Sequence, residues 1–215
     1  MTDSGRNVMT SALVLAALSL VAPVRLTAQA DTLGDTTSLE TCCRRDRATL
    51  AHHPTGDAYL HALRGIQSCG AMAGEVLAQQ WRHPPADTAA LTLLGGVSAN
   101  VRDKRVYLAA RRIATSRRVT TNARLATIVT LVAHADSTVR LSYNIWPKSP
   151  VDARPNVGFG HPLHSLDHAS PDAPLPSSVW SDVVSLLARL GESDPNDDVR
   201  TMAEYVAKRL RTHLY

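Results

Sequence analysis

The residues best suited to chemistry are concentrated between positions 158 and 168, where the sequence reads Gly-Phe-Gly-His-Pro-Leu-His-Ser-Leu-Asp-His. Imidazole and carboxylate groups bind zinc and other divalent metals, and they come here from His161, His164, Asp167 and His168. Their spacing matches no zinc-enzyme signature, and His-Glu-x-x-His is absent from the chain. We therefore expect a solvated loop without a cofactor, and keep a zinc-binding or other metal-binding protein, or a metal-dependent hydrolase, as the alternative.

Two aromatic residues, Trp146 and Phe159, lie in the same proline-rich part of the chain, and Phe159 is the only phenylalanine. Exposed aromatic side chains beside prolines suit a loop that binds a partner. Packing of both rings against neighbouring helices explains them equally simply. Both residues are therefore candidate binding residues.

Covalent and phosphate chemistry have no support in the sequence. No serine lies in a Gly-x-Ser-x-Gly elbow, and no Gly-Lys-Ser/Thr phosphate loop is present. The pairs Arg111-Arg112 and Arg117-Arg118 most simply form a solvated face, and a patch for an acidic partner or anionic lipid headgroups is the second interpretation. We expect a binding module rather than an enzyme.

Residues 1–30 have the order of features that marks an export signal. Arg6 precedes an apolar run over residues 8–21, and the sequence Ala-Gln-Ala that ends at Ala30 provides a small-x-small cleavage site. The run is shorter than the roughly 20 residues that span a bilayer as a helix. We predict cleavage before Asp31, a periplasmic or secreted protein, and membrane contact only through the uncleaved signal segment.

All three cysteines, Cys42, Cys43 and Cys69, fall in the first third of the chain. In an oxidising compartment one disulfide would leave one thiol free. Neighbouring cysteines rarely bond each other because their side chains diverge, so Cys69 with either Cys42 or Cys43 is the predicted pair. A zinc site that adds His52 and His53 is the alternative, although its spacing matches no common zinc finger.

The composition favours a single all-α domain. The net charge is +4, and the cations lie beside acids along the chain instead of forming the concentrated basic face typical of nucleic-acid binding. Aromatic residues make up 4% of the chain, whereas alanine and leucine are abundant. Small and aliphatic residues suit helix packing better than a β-sandwich. We therefore expect a protein partner and no nucleic acid.

The pattern of residues divides the chain after the signal peptide into two parts. Residues 31–55 form a polar leader and a cysteine-containing segment, in which the helical pattern begins at Ser38, and residues 56–215 form the helical domain. Within that domain, seven prolines between positions 144 and 176 exclude a regular helix or a central strand. This stretch is predicted to be a proline-rich loop insertion.

The ends of the helices are predicted from their capping residues. Asp, Ser and Thr favour helix starts, glycine favours the position after a helix end, and proline favours the first turn. The predicted starts are Asp87, Asp103, Thr120 or Thr121, Ser177 or Ser178, and Pro195, and the predicted end is Gly191.

Three segments share a pattern that indicates an internal repeat: Asp103-x-x-Val106, Asp136-x-x-Val139-Arg140 and Asn196-x-x-Val199-Arg200. Each places a capping residue three positions before a valine. The pattern resembles the inner helices of HEAT-like repeats, here in an exported protein of bacterial type. The resemblance covers position 56 to the C-terminus without 144–176, and it implies a short right-handed α-solenoid of antiparallel helix pairs.

The resemblance implies a module that binds other macromolecules, because such stacks seldom carry chemistry of their own. Its concave face would present Tyr107, Arg111, Arg140 and Arg200 as candidate contacts. We therefore expect an exported binding or scaffold module for a protein partner, and a purely structural component of the cell envelope is a further alternative.

Overall fold

The structure is a computed structural model that describes residues 32–52, 54–136, 139–142, 156–159 and 173–212. Eight α-helices and two β-strands make up the elements of these ranges. They are, in chain order, α1 (Thr32–Ala51), α2 (Asp57–Ile66), α3 (Ala71–Gln80), α4 (Thr88–Asn100), α5 (Lys104–Thr115), α6 (Thr121–Ala135), β1 (Val139–Ser142), β2 (Asn156–Phe159), α7 (Val179–Ser193) and α8 (Asp197–Thr212). Within the described ranges, no helix is both long enough and apolar enough to cross a bilayer.

Alternate helices contact one another, so the helices are arranged in two layers. In one layer α2, α4, α6 and α8 contact one another in order, and in the other α1, α3 and α5 do the same. Contacts between the layers join α1 to α2, α5 to α6, and α6 to α7. Apart from the β1–β2 ribbon, every described secondary-structure element is an α-helix, which confirms the predicted all-α class. The helix α5 packs on α3 and α6.

Side-chain caps fix most of the predicted helix starts. The carboxylate of Asp87 accepts a hydrogen bond of 2.7 Å from the backbone N–H of Ala90, and Thr120 Oγ1 accepts one of 3.4 Å from Ala123. These bonds satisfy amide groups that the first turn of a helix leaves without a partner. Ser178 lies at the cap position of α7 without such a bond.

Three predicted helix ends were wrong. The helix α1 begins at Thr32, six residues before the predicted Ser38. Gly191 lies inside α7 rather than after it, because its missing side chain admits the backbone of α8: a Cβ there would lie 2.9 Å from Glu204 Cα. Pro195 precedes α8, whose start is capped instead by Asn196 Oδ1, 3.1 Å from the backbone nitrogen of Val199.

The middle copy of the predicted repeat was also wrong, because Val139–Ser142 is a strand rather than the start of a helix. It pairs antiparallel with Asn156–Phe159, so the predicted insertion over 144–176 contains a strand and is not loop throughout. Both segments alternate apolar with polar or small residues, which is the period of a strand. The register pairs Val139 with Phe159 and Leu141 with Val157, so each apolar position of β1 has an apolar position of β2 as its Cα partner.

The hydrophobic core has two clusters, and α5 and α6 contribute to both. The first cluster fills the space among α2, α3 and α4 and includes Val106 and Ile113 of α5. The second lies among α6, α7 and α8 and includes Tyr107 and Ala110 of α5. The helix α5 therefore cannot move without disturbing both clusters.

A disulfide joins α1 to the segment after α2. Cys43 and Cys69 are bonded, with their Cα atoms 5.6 Å apart, and Cys42 is a free, half-buried thiol. Cys43 is the bonded member of the neighbouring pair because its side chain is buried, whereas Cys42 lies about 100° further round the helix. The disulfide is consistent with an oxidising compartment.

Close contact between α4 and α6 depends on Gly95. A Cβ on this residue would lie 2.9 Å from the backbone oxygen of Ala126, so only glycine fits without displacing backbone. Thr130 Oγ1 donates a hydrogen bond of 3.1 Å to Gly95 O across the same contact. The neighbouring Gly96 has nothing within 4 Å of the same position, so close packing explains only the first glycine of the pair.

A buried histidine closes the C-terminal end of α4. His134 is fully buried in α6, and its Nε2 lies 3.0 Å from the carbonyl oxygens of both Ser98 and Val101. Because both partners are acceptors, Nε2 carries the proton. Burial lowers the pKa of His134 to about 4, which keeps the ring neutral.

Gly95→Ala should lower the free energy of unfolding by about 1–3 kcal/mol, because the added methyl group meets fixed backbone. Gly96→Ala is the matched control and should be neutral or stabilising by up to about 1 kcal/mol, since alanine is the better helix former. Urea unfolding of both variants measures the difference. Equal stability of the two variants would contradict the close contact between α4 and α6.

The free energy of unfolding should decrease as the pH is lowered from 6.5 to 4, because His134 is buried and neutral in the folded protein. The unfolded chain takes up a proton below a pKa of about 6.5, whereas the folded chain resists protonation down to a pKa of about 4, so acid favours the unfolded state. The stability that this residue contributes is complete above pH 6.5, and about 2 kcal/mol of it should be lost at pH 5.

Unfolding measured from pH 7 to pH 5 tests this expectation. His134→Gln retains a hydrogen-bond donor but cannot titrate, so its stability should depend less on pH than that of the wild type. His61→Gln replaces an exposed histidine and should leave the pH dependence unchanged. If the free energy of unfolding of His134→Gln depended on pH as strongly as that of the wild type, His134 would not be the cause of the pH dependence.

Candidate functional site

The N-terminal end of α5 is fixed by a buried carboxylate. Asp103 has a fully buried side chain that accepts 2.7 Å hydrogen bonds from the backbone nitrogen and from Nη2 of Arg105. Arg105 Nη2 also donates to the backbone oxygen of Ala71 at 3.0 Å, which joins α5 to α3. Gly74 makes room for this group, because a Cβ there would lie 2.0 Å from Asp103 Oδ2. The start of α5 is therefore tied to α3.

The C-terminal end of α5 is fixed by a buried arginine of α6. Arg124 Nε donates to the backbone oxygen of Ala114 at 2.9 Å. Its Nη1 lies 3.0 Å from Asp194 Oδ1, and its Nη2 contacts Asp194 Oδ2. Arg124 is 3% exposed and Asp194 7% exposed, so water screens this pair only weakly. The pair ties the ends of α5 and α7 to the start of α6.

Asp194 is also held by α8. The backbone N–H of Asn196 donates to Asp194 Oδ1 at 3.0 Å, and Arg200 Nη1 donates to its backbone oxygen at 2.7 Å. Burial alone would raise the pKa of Asp194, but the hydrogen bonds from Arg124 and Asn196 outweigh burial and lower the pKa. The carboxylate is therefore ionised at neutral pH and completes the pair.

The helix held in this way presents one outward-facing strip, which we call the α5 face: Lys104, Leu108, Arg111, Arg112 and Thr115. Arg111 is half-buried and the other four are exposed. Apart from the adjacent pair Arg111 and Arg112, these residues follow one another at intervals of three or four positions, so they lie on one side of the helix. The opposite side, with Val106, Ala110 and Ile113, is buried. Leu108 lies in the middle of the strip and is 48% exposed.

The cations of the α5 face have no acidic partner. Among the described residues, no carboxylate lies within ion-pair distance of Lys104, Arg111 or Arg112. Arg117 and Arg118 are exposed in the loop that follows the helix. The strip therefore combines an exposed leucine with cations that form no ion pair with a described residue.

The predicted concave-face contacts are not brought together in one site. Tyr107 was wrongly predicted to be a surface contact: it is 2% exposed, and burial and the Asp182 carboxylate raise its pKa. It faces inward because its position on α5 falls on the same side as Ala110 and Ala114. Arg111 is half-buried on the α5 face one turn away. Arg200 lies at the start of α8, where it contacts Asp197 and the backbone of Asp194.

The remaining predicted site residues fall mostly outside the described ranges. Arg140 lies on β1 rather than on an inner helix, and Phe159 lies on β2. Trp146, His161, His164, Asp167 and His168 lie outside the described residues. In the part of the chain that the structure describes, no group of three His, Cys, Asp or Glu side chains could hold a metal ion. The metal site at 161–168 stays a prediction.

Two residues that organise this region were not singled out from the sequence. Arg124 lies four positions before Ile128, on the buried side of α6, and a charged residue in such a stripe signals a buried ion pair. Leu108 is surrounded by cations at helical spacing, which marks an apolar residue on a solvated face. The signal for Asp194 is weaker, because its partner lies 70 positions away in the sequence.

No protein-family model, curated protein or solved structure matches this chain. The eight described helices and their alternate contacts are compatible with a helical repeat. The geometry around α5 is therefore the basis for inferring a function.

Asp194→Asn should lower the free energy of unfolding by about 3 kcal/mol at pH 7, because it leaves the Arg124 charge buried without a countercharge. Asp197→Asn is the matched control: it changes an exposed partner of Arg200, and should change stability by less than about 1 kcal/mol. Urea unfolding measures both. A small, equal effect of the two substitutions would show that the buried pair does not hold the helices together.

Proposed function

We propose that the mature chain is an exported helical module that binds an acidic surface of another protein through the α5 face. The observation that carries this proposal is the position of Leu108, which is 48% exposed and lies one turn from Lys104, Arg111 and Arg112, none of which forms an ion pair with a described residue. Arginine is enriched among the residues that dominate binding energy at interfaces, and complementary charge steers an acidic partner towards a basic patch.

The contacts that hold α5 in place favour binding through the α5 face. Polar contacts hold both ends of α5, at Asp103 and at Ala114, and its inner side belongs to both core clusters. A helix held in this way loses little freedom when a partner docks. Little of the binding free energy is therefore offset by ordering the backbone of α5.

The amount and type of exposed surface favour a protein over a lipid membrane. A helix that lies on a membrane buries a broad apolar face, whereas the α5 face contains one large apolar residue. The cations occupy one helix and the loop after it, which is less than the concentrated basic surface of nucleic-acid-binding proteins. A patch of this size suits a local acidic surface on a protein.

The proposal places this binding module outside the cytoplasm. The Cys43–Cys69 disulfide supports an oxidising compartment, and the sequence before Asp31 has the order of an export signal. We further propose that the helices form a short right-handed solenoid of HEAT-like character, for which their alternate contacts are the support.

The test begins by placing a photo-crosslinking phenylalanine derivative at Leu108 in the mature protein, expressed with its export signal. The same group at Leu39 of α1, which is 49% exposed, is the control for exposure alone. A protein that crosslinks from position 108 and not from position 39 is then purified, and its affinity for the wild type is measured by calorimetry.

The double substitution R111E/R112E should weaken this affinity at least about 10-fold, because it reverses two charges at the contact. The matched control R189E/K208E reverses two exposed cations on α7 and α8 and should change affinity by less than about 2-fold. Binding by the wild type should also weaken as salt increases.

Three outcomes would overturn the proposal: equal crosslinking from both positions, equal affinity of the two double variants, or binding only to vesicles that contain anionic phosphatidylglycerol. The last outcome would assign the α5 face to a membrane surface. A crosslinked acidic protein whose affinity falls only in R111E/R112E would establish the α5 face as its binding site.

A further inference from the structure

A cavity of about 340 Å³ lies where the starts of α2 and α4 meet the end of α3. Its volume falls at the lower end of the range for small-molecule sites in proteins, so it suits a compact organic molecule. Two prolines and two alanines form an apolar part of its wall: Pro54, Pro85, Ala86 and Ala90. The polar groups of the same wall determine which molecule would be bound.

Gln80 presents one hydrogen-bond acceptor to this cavity. The side chain is 1% exposed, and its Nε2 donates to the backbone oxygen of Leu50 at 3.3 Å, which fixes the orientation of the amide. The amide oxygen Oε1 accepts no hydrogen bond from a described residue, and it is not sealed from solvent, whereas the hydroxyl group of Tyr59 is. Because Gln80 lines the cavity and is otherwise buried, Oε1 faces the cavity. Such an acceptor requires a donor from water or from a ligand.

Asp87 adds a carboxylate to the same wall. Its Oδ2 accepts a hydrogen bond of 2.7 Å from the backbone N–H of Ala90, which caps α4 and holds the side chain in place. The other oxygen, Oδ1, has no hydrogen-bond partner among the described residues. Two acceptors therefore line one small cavity, and the protein itself fixes the position of both.

The charges around the cavity favour a cation. No lysine or arginine belongs to the described wall, and Asp57, next to Gly56 of the wall, places a second carboxylate nearby. His83 is the basic side chain of the described wall, and histidine side chains are ordinarily neutral at about pH 8. An anion would meet carboxylates here, whereas a cation with N–H groups would satisfy both acceptors.

We propose that this cavity binds a small organic cation with a compact apolar body, of the amine or amidine class, and that its N–H groups donate to Gln80 Oε1 and to the Asp87 carboxylate. Asp87 supplies the countercharge, and Gln80 fixes the direction of the second hydrogen bond. The apolar part of the wall covers the body of the molecule. This site is separate from the α5 face, and its existence does not depend on the function proposed for that face.

Three planar molecules of nearly equal size test this proposal on the mature protein at pH 8: benzamidine, benzamide and benzoate. The first is a cation, the second is neutral and the third is an anion. Amide chemical shifts in two-dimensional NMR follow each titration, with the signals of Gly56, Tyr59 and Ala90 as reporters. Benzamidine should give saturable shifts at these residues. Benzamide should bind at least about 10-fold more weakly and benzoate more weakly still, because neither pairs with a carboxylate.

Asp87→Asn removes the charge and keeps a side chain that caps helices well. It should weaken benzamidine binding at least about 10-fold and change benzamide binding by less than about 3-fold. Asp57→Asn is the matched control, because it removes an exposed carboxylate at the start of α2 that does not line the cavity. It should change benzamidine affinity by less than about 3-fold, since solvent screens exposed charges.

Gln80→Met replaces the amide by an apolar side chain of similar length. It should weaken benzamidine binding about 3-fold to 10-fold, because one hydrogen bond is lost. Thermal melting monitors the folding of every variant. Asp87 is exposed, so Asp87→Asn keeps the test valid where Gln80→Met unfolds the chain.

The inference is overturned if benzamidine gives no saturable shifts at the reporters, if benzamide or benzoate binds as tightly as benzamidine, or if Asp87→Asn and Asp57→Asn have equal benzamidine affinity. A folded Gln80→Met variant that binds benzamidine as tightly as the wild type would exclude the amide oxygen from the site and overturn the inference as well.

Discussion

The buried pair of Arg124 and Asp194 is the constraint on which the second half of the structure depends. The guanidinium group of Arg124 donates hydrogen bonds to Ala114 O in the last turn of α5 and to the Asp194 carboxylate at the end of α7. The same carboxylate accepts a hydrogen bond from the backbone N–H of Asn196, at the start of α8. Removing two charges from water is unfavourable unless hydrogen bonds replace the lost hydration, and here three N–H groups of Arg124 and both carboxylate oxygens of Asp194 have partners. The pair therefore determines where four helix ends meet, a role that apolar residues could not perform because they have no direction of bonding.

In the first half of the structure, glycines at close contacts between helices fix the helix positions. At three contacts between helices a glycine faces a group that leaves no space for a side chain: Gly65 faces Asp46, Gly74 faces Asp103, and Gly95 faces Ala126. In two of these contacts the group that faces the glycine is a carboxylate. The absence of a glycine side chain there makes room for a polar group, not for an apolar one. The disulfide at Cys43 and Cys69 adds a covalent link beside the first of them. Close approach and polar anchoring together fix the spacing of α1 to α6.

The sequence predicted local features well and distant ones poorly. The caps at Asp87, Asp103 and Thr120 and the buried stripe of α6 depend on residues within one turn of each other, so spacing alone was sufficient. Gly191 and Val139 were misjudged because a remote element decides their conformation: α8 in one case and β2 in the other. A cap and a valine three positions later occur before a strand as well as in a helix, so the repeat pattern could not distinguish the two.

In the candidate site, too, the sequence predicts local features better than those that depend on distant residues. The position of Arg111 on the outer side of α5 follows from the helical period, whereas the burial of Tyr107 depends on the core cluster that it shares with α6, α7 and α8, which the sequence does not indicate. A single exposed leucine is common on protein surfaces and by itself indicates little. Leu108 is distinctive because the helix beneath it is held at both ends and shared by both core clusters, so the cations around it are displayed on a rigid support. Rigid display of an apolar group beside these cations lowers the entropy lost on association, which is why we propose α5, rather than the more terminal α1 with its exposed Leu39, as the binding surface.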